Sequence, residues 1–224
     1  MTIAIIRFGG SNCDRDTLLA LEHLDIDATI VWHEDGLPDG TTGIILPGGF
    51  SYGDYLRAGA MAAQSPIMEE INQAVSKDIP LLGICNGAQI GCEGNFTPGT
   101  FTTNQSARFQ CEHVHVRVET TETMWTQSYS EGDVLEIPIA HGEGRFEINN
   151  DQLETLESAG EILFRYCTPS GEITEESNPN GSKGNVAGVV GTKAHVAVMM
   201  PHPERATLPD IGLTDGAPIL EAFR

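Results

Sequence analysis

Three apolar runs near the start of the chain each break off at a glycine-bearing turn. Ile3–Phe8 stops at Gly9-Gly10-Ser11-Asn12, Gly43–Leu46 at Pro47-Gly48-Gly49, and Pro80–Ile84 enters Gly83-Ile84-Cys85-Asn86-Gly87. A fourth run, Ala28–Trp32, lies between the first two. Leu18, Leu19, Leu21 and Leu24 recur at helical spacing after the first turn, and Ala58–Val75 reads as a long helix after the third strand. Short, continuously apolar runs are strands covered on both faces, and strands alternating with helices need crossover connections, so the pattern predicts an α/β fold with a mainly parallel sheet and helices on both faces. In such a sheet the C-terminal strand ends converge on one edge, which is where ligands bind.

Beyond residue 100 the helical signals thin out. His113–Val118, Val134–Ala140, Ile162–Tyr166, Val186–Val190 and His195–Met200 read as strands, some of them antiparallel additions at a sheet edge, and Asn178-Pro179-Asn180-Gly181 has turn composition. With no linker, repeat or low-complexity segment, the 224 residues are expected to form a single domain, 1–224. No apolar run approaches the roughly 20 residues that span a bilayer, and the N-terminus lacks a signal-peptide pattern, so the expected location is cytoplasmic. Five cysteines without a C-x-x-C pair suggest neither a disulfide framework nor a zinc ribbon. His113 and His115 face one side of a strand but offer only two ligands, so no metal site is assigned. The formal charge of −20, with only Lys77, Lys183 and Lys193 as lysines, repels nucleic acid and anionic lipid and suggests adaptation to a salt-rich cytoplasm.

Chemistry concentrates at two strand ends. In Gly83–Gly87 a strand delivers a potential nucleophile, Cys85, into a turn followed by a helical stretch. This is the form of a nucleophile elbow, in which small neighbours permit a sharp turn and the helix N-terminus favours a thiolate. The N–H of Asn86 can then face a developing oxyanion. The second strand end is Met200-Pro201-His202-Pro203-Glu204-Arg205. Each proline keeps its predecessor out of the α region, and in an extended segment His202 and Glu204 share one side, where the carboxylate orients the imidazole as a general base. A thiol, an imidazole and a carboxylate form an acyl-transfer constellation. Gly48-Gly49, at a third strand end on the same edge, can turn backbone N–H groups inward as a second oxyanion donor. The loop His141-Gly142-Glu143-Gly144-Arg145 is a polar contact segment without a catalytic assignment. No phosphate-binding glycine motif is present.

These residues resemble the class I glutamine amidotransferases, and within them the glutaminase subunits of a purine-biosynthetic synthase. The matching segments run nearly end to end: Ser11–Asp16, Pro47–Arg57 (PGGFSYGDYLR), Gly83–Gln89 (GICNGAQ), Asn104 with Ser106, Arg108 and Phe109, His141–Phe146 (HGEGRF), Asn178–Ser182 (NPNGS) and Met199–Arg205 (MMPHPER). The resemblance implies a flavodoxin-like class I glutamine amidotransferase domain that hydrolyses glutamine. Cys85 would be the thioester-forming nucleophile, His202 the proton shuttle and Glu204 its orienter; Gly49 and Asn86 would give oxyanion N–H groups, with Gln89 near the bound glutamine. It further implies no cofactor in this chain, with ATP and Mg held by a large synthetase subunit that receives the ammonia, and a small accessory subunit. Gly9, Gly91-Cys92, Gly191 and Ala197 depart from the family pattern without touching the triad. The rival readings are a free-standing cysteine hydrolase or peptidase of similar fold, and a regulatory relative that has lost its chemistry.

Overall fold

Alternate side chains of the first strand, β1 (Thr2–Arg7), part to opposite sides of the sheet. Ile3 and Ile5 enter one apolar cluster, and Ala4 and Ile6 enter another. The computed structural model describes residues 2–224. After β1 come α1 (Asp14–His23), β2 (Ala28–Trp32), β3 (Thr41–Leu46), α2 (Ile67–Val75), β4 (Leu81–Ile84), α3 (Asn86–Glu93), β5 (Thr100–Thr102), β6 (Gln110–Val118), β7 (Val134–His141), β8 (Arg145–Glu147), α4 (Asn150–Ala159), β9 (Ile162–Cys167), β10 (Val186–Val190), β11 (Val196–Met199) and α5 (Ala217–Glu221). The same parting of side chains recurs in β3 and β4, where Ile45, Leu82 and Ile84 join Ile3 while Ile44, Leu46 and Leu81 join Ala4. Fully buried isoleucines and leucines each stabilise the fold by roughly 1.5–3 kcal/mol, which explains why the runs are continuous rather than alternating in polarity.

The main sheet has nine strands in the order β2-β1-β3-β4-β11-β10-β9-β6-β7. From β2 to β11 every pairing is parallel; β10 and β6 run opposite to the rest, so the extension from β11 to β7 is paired antiparallel. The sheet is therefore mixed and mainly parallel in strand direction, with the antiparallel additions on one side. Helices cover both faces: Ala20 and Leu21 of α1, Leu156 of α4 and Leu220 of α5 pack on one, and Ile67, Ile71 and Val75 of α2 on the other.

Two local readings need correction. The helix expected over Ala58–Val75 is only α2, preceded by a single 3₁₀ turn at Ala62–Gln64. Gly59 stands at φ +83°, where a Cβ would lie 2.6 Å from the backbone N of Ile90, and Ser65 before Pro66 is extended, as a pre-proline residue prefers. Of the loop read over His141–Arg145, His141 ends β7 and Arg145 begins the strand β8, which pairs with β5 in a separate two-stranded sheet.

Candidate active site

The C-terminal ends of β1, β3, β4 and β11 meet at one edge, and the chain leaves β4 through a backbone few residues tolerate. Cys85 has φ 52° and ψ −108°, a strained conformation that costs about 1–3 kcal/mol and persists only where its surroundings enforce it. The enforcement is visible on both sides. A Cβ on Gly83 would sit 2.6 Å from the carbonyl oxygen of Gly87, and one on Gly87 would sit 1.8 Å from that of Leu46. The Cys85 N–H donates to the carbonyl of Met199 (2.8 Å), which ties the elbow to β11.

From β11 the chain passes Met200 and Pro201 to His202, whose N–H donates to the Pro138 carbonyl (2.8 Å). His202 Nδ1 donates to Glu204 Oε1 at 2.6 Å, and both residues are 1% exposed. The pairing arises differently from the extended-segment reading: Pro203–Arg205 form a 3₁₀ turn, so Glu204 curls back under the ring instead of lying alongside it. Burial alone would depress the imidazole, but the Glu204 carboxylate and the neighbouring thiols of Cys85 and Cys13 outweigh it and hold His202 well above its usual pKa. With Nδ1 committed, Nε2 is buried without a hydrogen-bond partner.

The glycine turn after β3 completes the edge. Its Gly48 carbonyl accepts from Asn12 (3.4 Å) and Cys13 (3.2 Å), and Phe50 N–H donates to Gly10 (3.0 Å), so the peptide of Gly49 is pinned from both sides. Gly49 adopts φ +153°, and a Cβ on Gly48 would lie 2.7 Å from His202 Cε1. Asn86 begins α3, so its N–H is one of the first-turn groups that lack an intrahelical acceptor. Its side chain is fully buried: Oδ1 accepts from Ser51 N–H (3.1 Å) and Nδ2 donates to Gln89 Oε1 (2.8 Å). Gln89 Nε2 in turn donates to the Glu143 carbonyl (2.7 Å), so Gln89 holds the 141–145 loop in place.

Two adjoining cavities of about 180 and about 170 Å³ share Gly49, Phe50, Cys85, Phe109 and Ala140. The first is further lined by Asp54, Gln89, His141 and Glu143, the second by Cys13, His202 and Arg205. A larger cavity of about 460 Å³ lies off the N-terminal end of β11 and contains no cysteine. In the first cavity Asp54 stands at φ 56° within a turn where Tyr52, Gly53 and Leu56 are also left-handed. Burial and the nearby Glu143 push its carboxyl up to about 6, and Oδ1 has no partner. His141 is 2% exposed; Nδ1 meets Asn104 Oδ1 (3.1 Å) and Nε2 meets Asn180 Nδ2 (3.4 Å). Burial, then the charge of His202, lower it to about 4, so it is a neutral strut. Asn104 and Asn180 also bind the backbone of the 141–144 loop, at His141 O (2.9 Å), Gly144 N (2.8 Å) and Gly144 O (2.8 Å).

The structure thus brings together Cys85, His202, Glu204, Gly48, Gly49, Asn86 and Gln89. His113 lies apart from them on β6, paired with Glu136 (3.2 Å). The sequence reading missed Asp54 as a cavity wall and Cys13 as a neighbour of His202, while Glu143 lies in the 141–145 loop read as a contact segment. All three lie in segments that carried the family resemblance, Ser11–Asp16, Pro47–Arg57 and His141–Phe146, which was the signal available for them.

A family model described as the CobB/CobQ-like glutamine amidotransferase domain matches residues 1–210. The chain is 66% identical to phosphoribosylformylglycinamidine synthase subunit PurQ of Natronomonas pharaonis, over all of both chains. It is 46% identical to the subunit of that name from Methanocaldococcus jannaschii, covering 96% of this chain and 94% of that one. Among solved structures it resembles a chain in the structure of PurLQS from Thermotoga maritima, with a TM-score of 0.88 and 37% identity over 99% of this chain and 96% of that one. The glutaminase domain of Trypanosoma brucei CTPS, with bound acivicin, shares the fold at a TM-score of 0.62 and 18% identity, covering 100% of this chain and 93% of that one.

Proposed function

The chain belongs to the CobB/CobQ-like glutamine amidotransferase family and is the glutaminase subunit of a phosphoribosylformylglycinamidine synthase, and from this premise we propose that Cys85, His202 and Glu204 carry its hydrolysis of glutamine. The observation that bears most weight is the unpartnered Nε2 of His202, in the cavity that Cys85 also lines, with its ring fixed from behind by Glu204. Nε2 takes the proton of the Cys85 thiol, and the thiolate attacks the side-chain carbonyl carbon of glutamine. The oxyanion that forms is met by the N–H groups of Asn86 and Gly49. Collapse breaks the C–N bond, the imidazolium returns the proton to the departing nitrogen, and ammonia leaves a glutamyl thioester. Water, deprotonated by the same nitrogen, hydrolyses the thioester to glutamate.

Ammonia passes to a large synthetase subunit, with a small accessory subunit in the complex, corresponding to PurL and PurS of the related assembly. There ATP and Mg drive conversion of formylglycinamide ribonucleotide to its amidine, and the present chain needs no cofactor of its own. Cys85→Ser should abolish glutamine-dependent synthesis by the assembled complex while ammonia-dependent synthesis stays nearly unchanged, because the thiolate is needed only for the thioester. Glutamine hydrolysis retained in this variant would refute the assignment.

A further inference from the structure

The two cavities that meet at Cys85 differ in charge. Among the described residues, the one of about 180 Å³ is walled by two carboxylates, Asp54 and Glu143, and by no lysine or arginine, and its histidine, His141, is neutral. The adjoining one, of about 170 Å³, has Arg205 in its wall and no acid. Asp54 Oδ1 is buried and makes no hydrogen bond, and burial together with the charge of Glu143 lifts its carboxyl to about 6. The turn that carries Asp54 into this wall has an unusual backbone: Tyr52, Gly53, Asp54 and Leu56 have φ of 53°, 69°, 56° and 71°, which bulky L residues rarely adopt. It is held by Tyr52 N–H on the Gly9 carbonyl (2.6 Å), Ser51 N–H on Asn86 Oδ1 (3.1 Å) and the Tyr52 hydroxyl at His33 Nε2 (3.0 Å). Such strain persists where the placement of a side chain is used. That the space takes a ligand has independent support: Cys85 lines it, and His202, 1% exposed with Nε2 unpartnered, lines the adjoining cavity.

We propose that Asp54, with Glu143 beside it, binds the α-ammonium group of glutamine and so decides which γ-amides react at Cys85. The inference rests on the glutaminase reading, which puts the carboxamide at Cys85 under the N–H groups of Asn86 and Gly49. In extended glutamine the α-nitrogen stands roughly 5 Å from the carboxamide carbon, a separation that a cavity of about 180 Å³ holds. Two neighbouring carboxylates without a cation in their wall repel each other, and an ammonium set between them removes that repulsion through charge-assisted hydrogen bonds. The same charges turn the α-carboxylate of the substrate away, so the pair fixes its orientation about the α-carbon. Gln89 joins the two ends of the site: Nε2 donates to the Glu143 carbonyl (2.7 Å), and Oε1 accepts from Nδ2 of Asn86 (2.8 Å), whose N–H faces the oxyanion. Glutamine within a peptide, whose α-nitrogen is a neutral amide, is excluded on this ground.

The test compares glutamine with glutaric acid monoamide, which is glutamine without its α-nitrogen, by ammonia release from the chain in complex with its synthetase. Wild type should favour glutamine by at least about 100-fold in kcat/KM. Asp54→Asn keeps the shape of the side chain and its tolerance of a left-handed backbone. It should raise KM for glutamine about 10–100-fold at nearly unchanged kcat, while the inhibition constant of the monoamide against glutamine hydrolysis moves by less than about twofold. A wild type that uses both amides equally well would overturn the subsite, and this comparison needs no variant to fold. An Asp54→Asn chain with unaltered KM for glutamine, or with equal weakening of both amides, would overturn it too. Cys85→Ser has no place in these measurements, so their failure would leave the assignment of the nucleophile standing.

Discussion

His202 and His141 lie in the same buried edge, and their surroundings push them in opposite directions. The carboxylate of Glu204 raises the first well above its ordinary value, whereas His141 has only amides for partners and is lowered to about 4. Glu204→Gln removes the counter-charge, so the imidazolium should lose its stabilisation and kcat for glutamine should fall by roughly 10²–10⁴-fold, measured as glutamate release. His141 makes stability depend on pH. Between its folded value near 4 and its ordinary 6.5, the folded chain binds fewer protons than the unfolded one, so stability falls as pH is lowered through that window, by on the order of 3 kcal/mol at its foot. Asp54, raised to about 6 from 3.8, acts with the opposite sign over part of the same range. Urea unfolding of His141→Asn at about pH 7 and about pH 4.5 should therefore show a smaller acid loss than wild type, whatever its starting stability. The nearness of Cys85 to His202 was legible because both stand at C-terminal strand ends of one sheet, and that of Glu204 because it follows His202 by two residues. Asp54 and Cys13 were not, because their environments are set by residues distant in sequence, Glu143 for the one and His202 for the other.

Among the elements, the strand-turn-helix through β4 and α3 is specified by two glycines more than by its nucleophile. Gly87→Ala would force a Cβ to within 1.8 Å of the Leu46 carbonyl, which is backbone and cannot rotate away. A loss of stability above about 3 kcal/mol is expected by urea unfolding, against little change for Gly142→Ala, whose nearest neighbour would be 3.7 Å away. Helix α4 is bounded conventionally, with Asn149 Oδ1 accepting from Gln152 N–H (2.8 Å) and Gly160 left-handed at its end. Asn149→Ala should cost about 1 kcal/mol in the same measurement. Strands were legible because burial on both faces leaves an unbroken apolar run. The start of α2 was not, since the alanine-rich stretch from Ala58 has helical propensity that close packing at Gly59 and the conformation before Pro66 override. The turn at Pro203–Arg205 was misread as extended because proline restrains the residue before it, whereas its own φ of about −65° suits a helical turn equally well.

For the whole molecule, a charge of −20 over 224 residues sets the conditions in which the fold is stable. Closely spaced carboxylates repel in dilute buffer, and relatives at 64–66% identity come from halophilic archaea, so the melting temperature should climb with potassium chloride up to molar concentrations. Phe50 and Phe109 stand partly exposed at the mouth of the site, and Tyr55 and Leu56 are exposed beside it at 74% and 86%. Assembly with the synthetase would cover such a rim, and glutamine hydrolysis by the complex with ATP and acceptor present should exceed that of the isolated chain by at least about tenfold. The order of the sheet has a consequence for how the molecule is made. Strand β11, near the end of the sequence, fills the slot between β4 and β10. While a ribosome still holds it, the nascent chain exposes two apolar strand edges and carries Cys85 without its base. The last strand to leave the exit tunnel therefore both seals the sheet and arms the thiol, so a prematurely terminated chain is prone to aggregate and unable to consume glutamine.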